Sequence, residues 1–84
     1  CYLGDSAAAT SLGEEGLRLA RARDDAYGEA VACNILGQIA YDRGDLPAAR
    51  DYSERSLAIE QQLGNLWSMA FSLTNLGKVA FAEG

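Results

Sequence analysis

From Leu66 onward the apolar or small residues Leu66, Met69, Ala70, Leu73, Leu76, Gly77 and Ala80 step at intervals of three and four, which lays them on one face of a helix. An earlier segment does the same with Ala26, Ala30, Cys33, Leu36, Gly37 and Ala40. Asn65 and Asp25 stand just ahead of these runs, where a side-chain oxygen accepts from the first free amides of a helix. Gly44-Asp45-Leu46-Pro47 reads as an end followed by a start. The glycine closes one helix in a left-handed turn, Asp45 caps the next, and Pro47 falls in the first turn, where no intrahelical bond is lost. Leu63-Gly64-Asn65 and Arg23-Asp24-Asp25 mark the other turns. The pattern predicts four helices, over residues 6–22, 26–43, from just after the Asp45 cap to 62, and 66–83, with no strand.

Sliding the chain by forty positions brings it into register with itself. Gly4-Asp5 falls on Gly44-Asp45, Ala8-Ala9 on Ala48-Ala49, Glu14 on Glu54 and Leu17 on Leu57. Ala30 falls on Ala70, Leu36-Gly37 on Leu76-Gly77, Ala40 on Ala80 and Gly44 on Gly84. Conservative pairs fill the gaps: Tyr27 with Trp67, Val31 with Phe71, Ile39 with Val79, Tyr41 with Phe81. About two periods of one unit are present, and short connections between its helices predict stacked antiparallel hairpins. The register opens inside one unit and closes inside another, so the chain is expected to be a piece of a longer array. Its parts would be the second helix of one repeat (6–22), a full repeat (26–62) and the first helix of the next (66–83).

Composition then narrows the chemistry. Eighty-four residues make one small domain at most, and its core is thin, because fifteen of the hydrophobic residues are alanine. Small residues at Gly37, Ala40, Ala49, Gly77 and Ala80 are expected where helix axes approach closely. A large side chain at Gly37 or Ala49 should therefore be worse than truncating an exposed leucine. The net charge of -5 argues against a nucleic-acid surface. No apolar run approaches the length that spans a bilayer, and no charged n-region with a small-residue cleavage site opens the sequence; the expected location is cytoplasmic. With no histidine, most His-based metal and general-base chemistry is excluded. Cys1 and Cys33 lack other soft ligands, so no metal is expected, and Cys33 belongs to the core stripe. Asp24-Asp25 reads as a capping pair rather than a metal or acid–base pair. Glu14–Arg18, Arg50–Glu54 and Asp51–Arg55 have the spacing of solvated helix-surface pairs. No catalytic constellation, phosphate loop or cofactor site emerges.

Cys33-x2-Leu36-Gly37-x2-Ala40-Tyr41, followed by Gly44-Asp45 and Ala49, resembles the signature of the tetratricopeptide repeat. It recurs as Leu73-x2-Leu76-Gly77-x2-Ala80-Phe81 with Gly84. The usual tryptophan is replaced by Cys33 or Leu73, the aromatic comes one place late, and the period is forty rather than thirty-four. In that respect the chain resembles a long-repeat subclass, as in MalT-like bacterial regulators, LGN-type scaffolds and kinesin light chains. The resemblance implies an all-α solenoid of four helices, without catalysis, that grips a peptide or protein segment in its concave groove. A second stripe on the first-type helices would line it: Tyr27, Val31, Asn34, Gln38 and Tyr41, then Trp67, Phe71, Thr74, Lys78 and Phe81.

The bland reading of Tyr27, Trp67, Val31 and Phe71 is partial burial between helices. The resemblance does not extend to a clamp for C-terminal carboxylates, since Lys78 is the stripe's single basic residue; with Asp42 close by, an apolar and basic peptide is the expected ligand. Two other readings stand beside this scaffold: an effector-sensing segment of a bacterial signalling ATPase or transcription regulator, using a pocket around Trp67, Phe71 and Tyr41, and a structural spacer. Head-to-tail self-association is a further expectation, with helix 6–22 of one copy completing helix 66–83 of another.

Overall fold

The computed structural model describes residues 3–83, which are all-α. Its four helices are α1 (Leu3–Ala22), α2 (Ala26–Asp42), α3 (Leu46–Leu63) and α4 (Leu66–Glu83). Cys1, Tyr2 and Gly84 lie outside the described residues, and with them the expectation for Cys1 and the terminal Gly84 match. The helices form where the apolar spacing predicts them, and α1 starts three residues earlier than the pattern suggests.

Three turns at twenty-residue intervals give the fold its rhythm. The amides of Asp25, Asp45 and Asn65 donate to the carbonyls of Ala20, Ala40 and Glu60 at 2.8, 2.8 and 3.1 Å. This is the six-to-one bond that closes a helix through a left-handed residue. The left-handed residue is Gly44 (φ 80°) or Gly64 (φ 72°) in two turns, and Asp24 (φ 56°) in the first. The next side chain caps the following helix: Asp25 accepts from Gly28 N at 3.0 Å, Asp45 from Ala48 N at 3.3 Å, Asn65 from Ser68 N at 3.1 Å. Asp24-Asp25 is thus a turn and a cap, as expected.

Each turn reverses the chain, and α2 packs between α1 and α3 while α4 packs on α3 and touches α2. Gly37 is crowded by α3: a Cβ there would stand 3.3 Å from both Ser53 Oγ and Tyr52 Cβ, and 3.5 Å from the Ala49 carbonyl. That is the close approach predicted for it, and Ala49 is fully buried beside it. Two small apolar clusters result, Leu17 with Ala32, Cys33 and Leu36, and Ala40 with Ala49 and Val79.

The expected core stripe of α4 is corrected. Leu66, Ala70, Leu73, Gly77 and Ala80 are exposed, while Ser72, Asn75 and Val79 are buried. The reason is coverage: α2 has a helix on each side, whereas α4 is packed on the α3 side, and its Leu73–Gly77–Ala80 side is exposed, with nothing among the described residues within 4 Å of a Cβ on Gly77. Two expected ion pairs also change partners. Arg18 pairs with Glu15 rather than Glu14, and Arg50 reaches across to Glu83 on α4 rather than along its own helix to Glu54; Asp51–Arg55 forms as expected at 3.3 Å. No described helix is long and apolar enough to cross a membrane.

Candidate functional site

A groove of about 490 Å³ runs between α2 and α4, lined by Val31, Asn34, Ile35, Gln38 and Ile39 from one helix and Trp67, Ser68 and Phe71 from the other. Five of the ten stripe residues (Val31, Asn34, Gln38, Trp67, Phe71) meet there, because residues three and four apart share a helix face. Ile35, Ile39 and Ser68 line it too and were not anticipated. Their signal lay in the same spacing, since Ile35 and Ile39 flank the stripe by one position.

The other five stripe residues do not line the groove. Tyr27 is exposed beyond its end, and Phe81 is 89% exposed at the far end of α4. Tyr41 is half-buried against the Ala40–Ala49–Val79 cluster, with the Lys78 ammonium 5.0 Å above its ring centre. Thr74 is exposed and donates its hydroxyl to the Ala70 carbonyl at 2.9 Å. Trp67 is 88% exposed, so the reading of it as partly buried between helices is overturned: no described helix covers its outer face.

The polar groups of the stripe are largely committed to the protein itself. Gln38 donates from Nε2 to Asp42 Oδ1 at 3.1 Å. Asn34, expected at the groove surface, is 8% exposed and looks into the helix junction. Its amide nitrogen donates to Glu60 Oε2 at 2.9 Å, and its oxygen lies 2.8 Å from Ser56 Oγ and 3.0 Å from Ser72 Oγ. The groove is therefore an apolar surface with aromatic walls, and its floor is tied down by hydrogen bonds that a ligand does not share.

Behind that floor is a buried polar cluster absent from the sequence reading. Glu60 is fully buried and accepts at Oε1 from the Ser72 hydroxyl at 2.7 Å, while Ser56 and Ser72 oxygens lie 2.9 Å apart. Its partners are neutral. Ser53 Oγ and Asn75 Nδ2 are buried at its edge without a hydrogen-bond partner, a cost that the adjoining contacts must outweigh. The signal was present in the repeat register: Ser53, Ser56, Glu60, Ser72 and Asn75 replace Gly13, Gly16, Ala20, Ala32 and Ile35. Five apolar-to-polar exchanges in one register mark an interface of different character.

Cys33 is buried and free. Burial, and then the charge of Glu29, push its thiol above the ordinary value, which suppresses the reactive thiolate. Among the described residues no group of three or more acidic or cysteine side chains converges as a metal site would. In comparison with known proteins, no family model, no curated protein and no solved structure matches the chain.

Proposed function

We propose that the chain is a tetratricopeptide-like solenoid segment that binds a peptide or protein segment through the α2–α4 groove, as a non-catalytic interaction scaffold. The observation that carries this reading is the groove itself, which gathers Val31, Gln38, Trp67 and Phe71 on one apolar face. Support for the repeat comes from the forty-residue register and from turns that recur with the same bond at residues 25, 45 and 65. Exposed aromatic side chains over a fixed apolar floor supply the anchoring area that interfaces concentrate in a few residues. Because Asn34 and Gln38 are engaged internally, recognition rests on apolar side chains rather than on amide bonds to a peptide backbone. Asp42 at the end of α2 favours a ligand carrying a basic residue beyond its apolar anchors.

A small apolar effector is the second reading, favoured by a volume within the roughly 300–1,000 Å³ typical of small-molecule sites. Against it, Trp67 and Phe71 are more than half exposed, whereas such sites bury most of the ligand. Titrating Trp67 fluorescence with amphipathic basic peptides and with aromatic metabolites separates the two. Saturable change with peptides, lost in Phe71→Ala, supports the scaffold. Change with metabolites alone supports the effector site, and no change with either leaves a spacer.

A further inference from the structure

α2 and α4 are equivalent in the repeat but are covered differently. On α2, Cys33, Leu36, Gly37 and Ala40 are sealed by neighbouring helices. Their counterparts on α4 are Leu73, Leu76, Gly77 and Ala80; Leu73, Gly77 and Ala80 are exposed, and nothing lies within 4 Å of a Cβ built on Gly77. Gly77 has the form of a receiving position without the side chain it receives. α1 has the complementary surplus. α3 covers α2 with Ala49, Tyr52 and Ser56, whose equivalents on α1 are Ala9, Leu12 and Gly16. Leu12 is 73% exposed, and nothing lies within 4 Å of a Cβ on Gly16.

We propose that these two faces fit each other between molecules: α1 of a second copy seats on α4 as α3 seats on α2. The internal α2–α3 contact is the template, so the pairing can be checked residue by residue. Leu12 would stand over Leu73, Leu76 and Gly77 where Tyr52 packs against the cluster that holds Cys33 and Leu36, and Ala9 would repeat Ala49. On the α1 side the substitution is toward smaller side chains (Leu12 for Tyr52, Gly16 for Ser56), which leaves room for Leu73 where the template has Cys33. The buried Asn34–Glu60 pair of the template becomes Thr74 opposite Ala20, and Thr74 already donates to its own helix. No polar group is therefore stranded by docking. Charge does not oppose it either: α4 carries Lys78 and Glu83 alone, although the chain as a whole is at -5. The contact joins two different faces, so each added copy presents a fresh α4, and the assembly grows head to tail instead of closing at two.

The test is sedimentation of the 84-residue chain over a concentration series, with two variants that each block one face. Gly77→Leu fills the receiving position and Leu12→Lys charges the inserting one; neither position is packed within the monomer, and circular dichroism and melting check that both variants remain folded. The wild-type weight-average mass should climb past two copies with concentration. Each variant alone should stay at one copy, and an equimolar mixture should reach two copies and stop, because one intact α1 face meets one intact α4 face. A wild type that is monomeric throughout, or a mixture that stays monomeric, overturns the proposal. Leu12→Lys that still dimerises would instead indicate a two-fold contact of α4 on α4, and Gly77→Leu that still dimerises one of α1 on α1.

Discussion

The α1–α2 and α3–α4 contacts occupy the same place in the repeat, yet one is dry and the other polar. Between α1 and α2 the facing residues are Gly13, Ala20, Ala32 and Leu36, with a Cβ on Gly13 falling 2.8 Å from Leu36 Cδ2. Between α3 and α4 the equivalents are Ser53, Glu60, Ser72 and Leu76, and the Ser72 hydroxyl donates to Glu60 Oε1. The two hairpins nevertheless share turn geometry and helix order. Backbone arrangement here is thus set by the turns and by close helix approach, and either chemistry can fill the space. What the polar version adds is a third helix. Asn34 on α2 bonds to Glu60 and Ser56 on α3 and approaches Ser72 on α4, so α2, α3 and α4 interlock, while α1 rests on α2 through apolar contact.

The largest effect should come from breaking the polar side of this comparison. Glu60→Ala opens a cavity, leaves the Asn34 amide nitrogen without its acceptor and removes the 2.7 Å bond from Ser72, at an expected cost of about 3 kcal/mol in urea unfolding. Replacing the whole cluster by apolar residues (Asn34→Leu, Ser56→Ala, Glu60→Met, Ser72→Ala) should recover most of that loss, because removing both partners of a buried bond is far milder than orphaning one. If the fourfold variant is no more stable than Glu60→Ala, the cluster is essential to the backbone arrangement and the equivalence of the two interfaces fails.

Equivalent glycines sharpen the contrast next. Gly37→Leu should lower stability by about 1–3 kcal/mol by overpacking against Tyr52 and Ser53. Gly77→Leu, in open space, should leave it unchanged or raise it by up to about 1 kcal/mol through helix propensity. The first and last turns offer a smaller pair. Asp24→Gly relieves a left-handed side-chain-bearing residue and should stabilise by about 0.5–1 kcal/mol, whereas Gly64→Ala at the matching position should destabilise by a similar amount. Thermal melts of the four variants read both pairs. The smallest effect belongs to the Arg50–Glu83 pair, whose side chains are partly solvated: Arg50→Ala should cost no more than about 0.5 kcal/mol and should fade with added salt.

These contrasts also mark what was legible beforehand. Helix positions, caps and turns could be read directly, because Asp25, Asp45, Asn65 and the left-handed residues before them act on their own few neighbours. The groove was half legible. Val31, Gln38, Trp67 and Phe71 could be placed on one face by spacing, but spacing alone does not say that Tyr27 and Phe81 fall beyond its ends. Asn34 was misplaced because a polar residue on an outer stripe is ordinarily solvated, and here a carboxyl group on the next helix in sequence, Glu60 of α3, reaches it from behind.

The chain by itself therefore determined its elements: four helices, their ends, and a forty-residue register, all of which depend on interactions within a turn or two of the backbone. Only the tertiary structure decided which faces of those helices are covered. Gly37 and Gly77 stand in matching Leu-Gly pairs with matching periodicity, yet one is crowded and the other open. Coverage depends on which helix packs alongside, and that is a property of the assembly of helices rather than of any one of them. The same holds for Glu60, whose burial becomes affordable only when Asn34 and Ser72 arrive from two other helices at once.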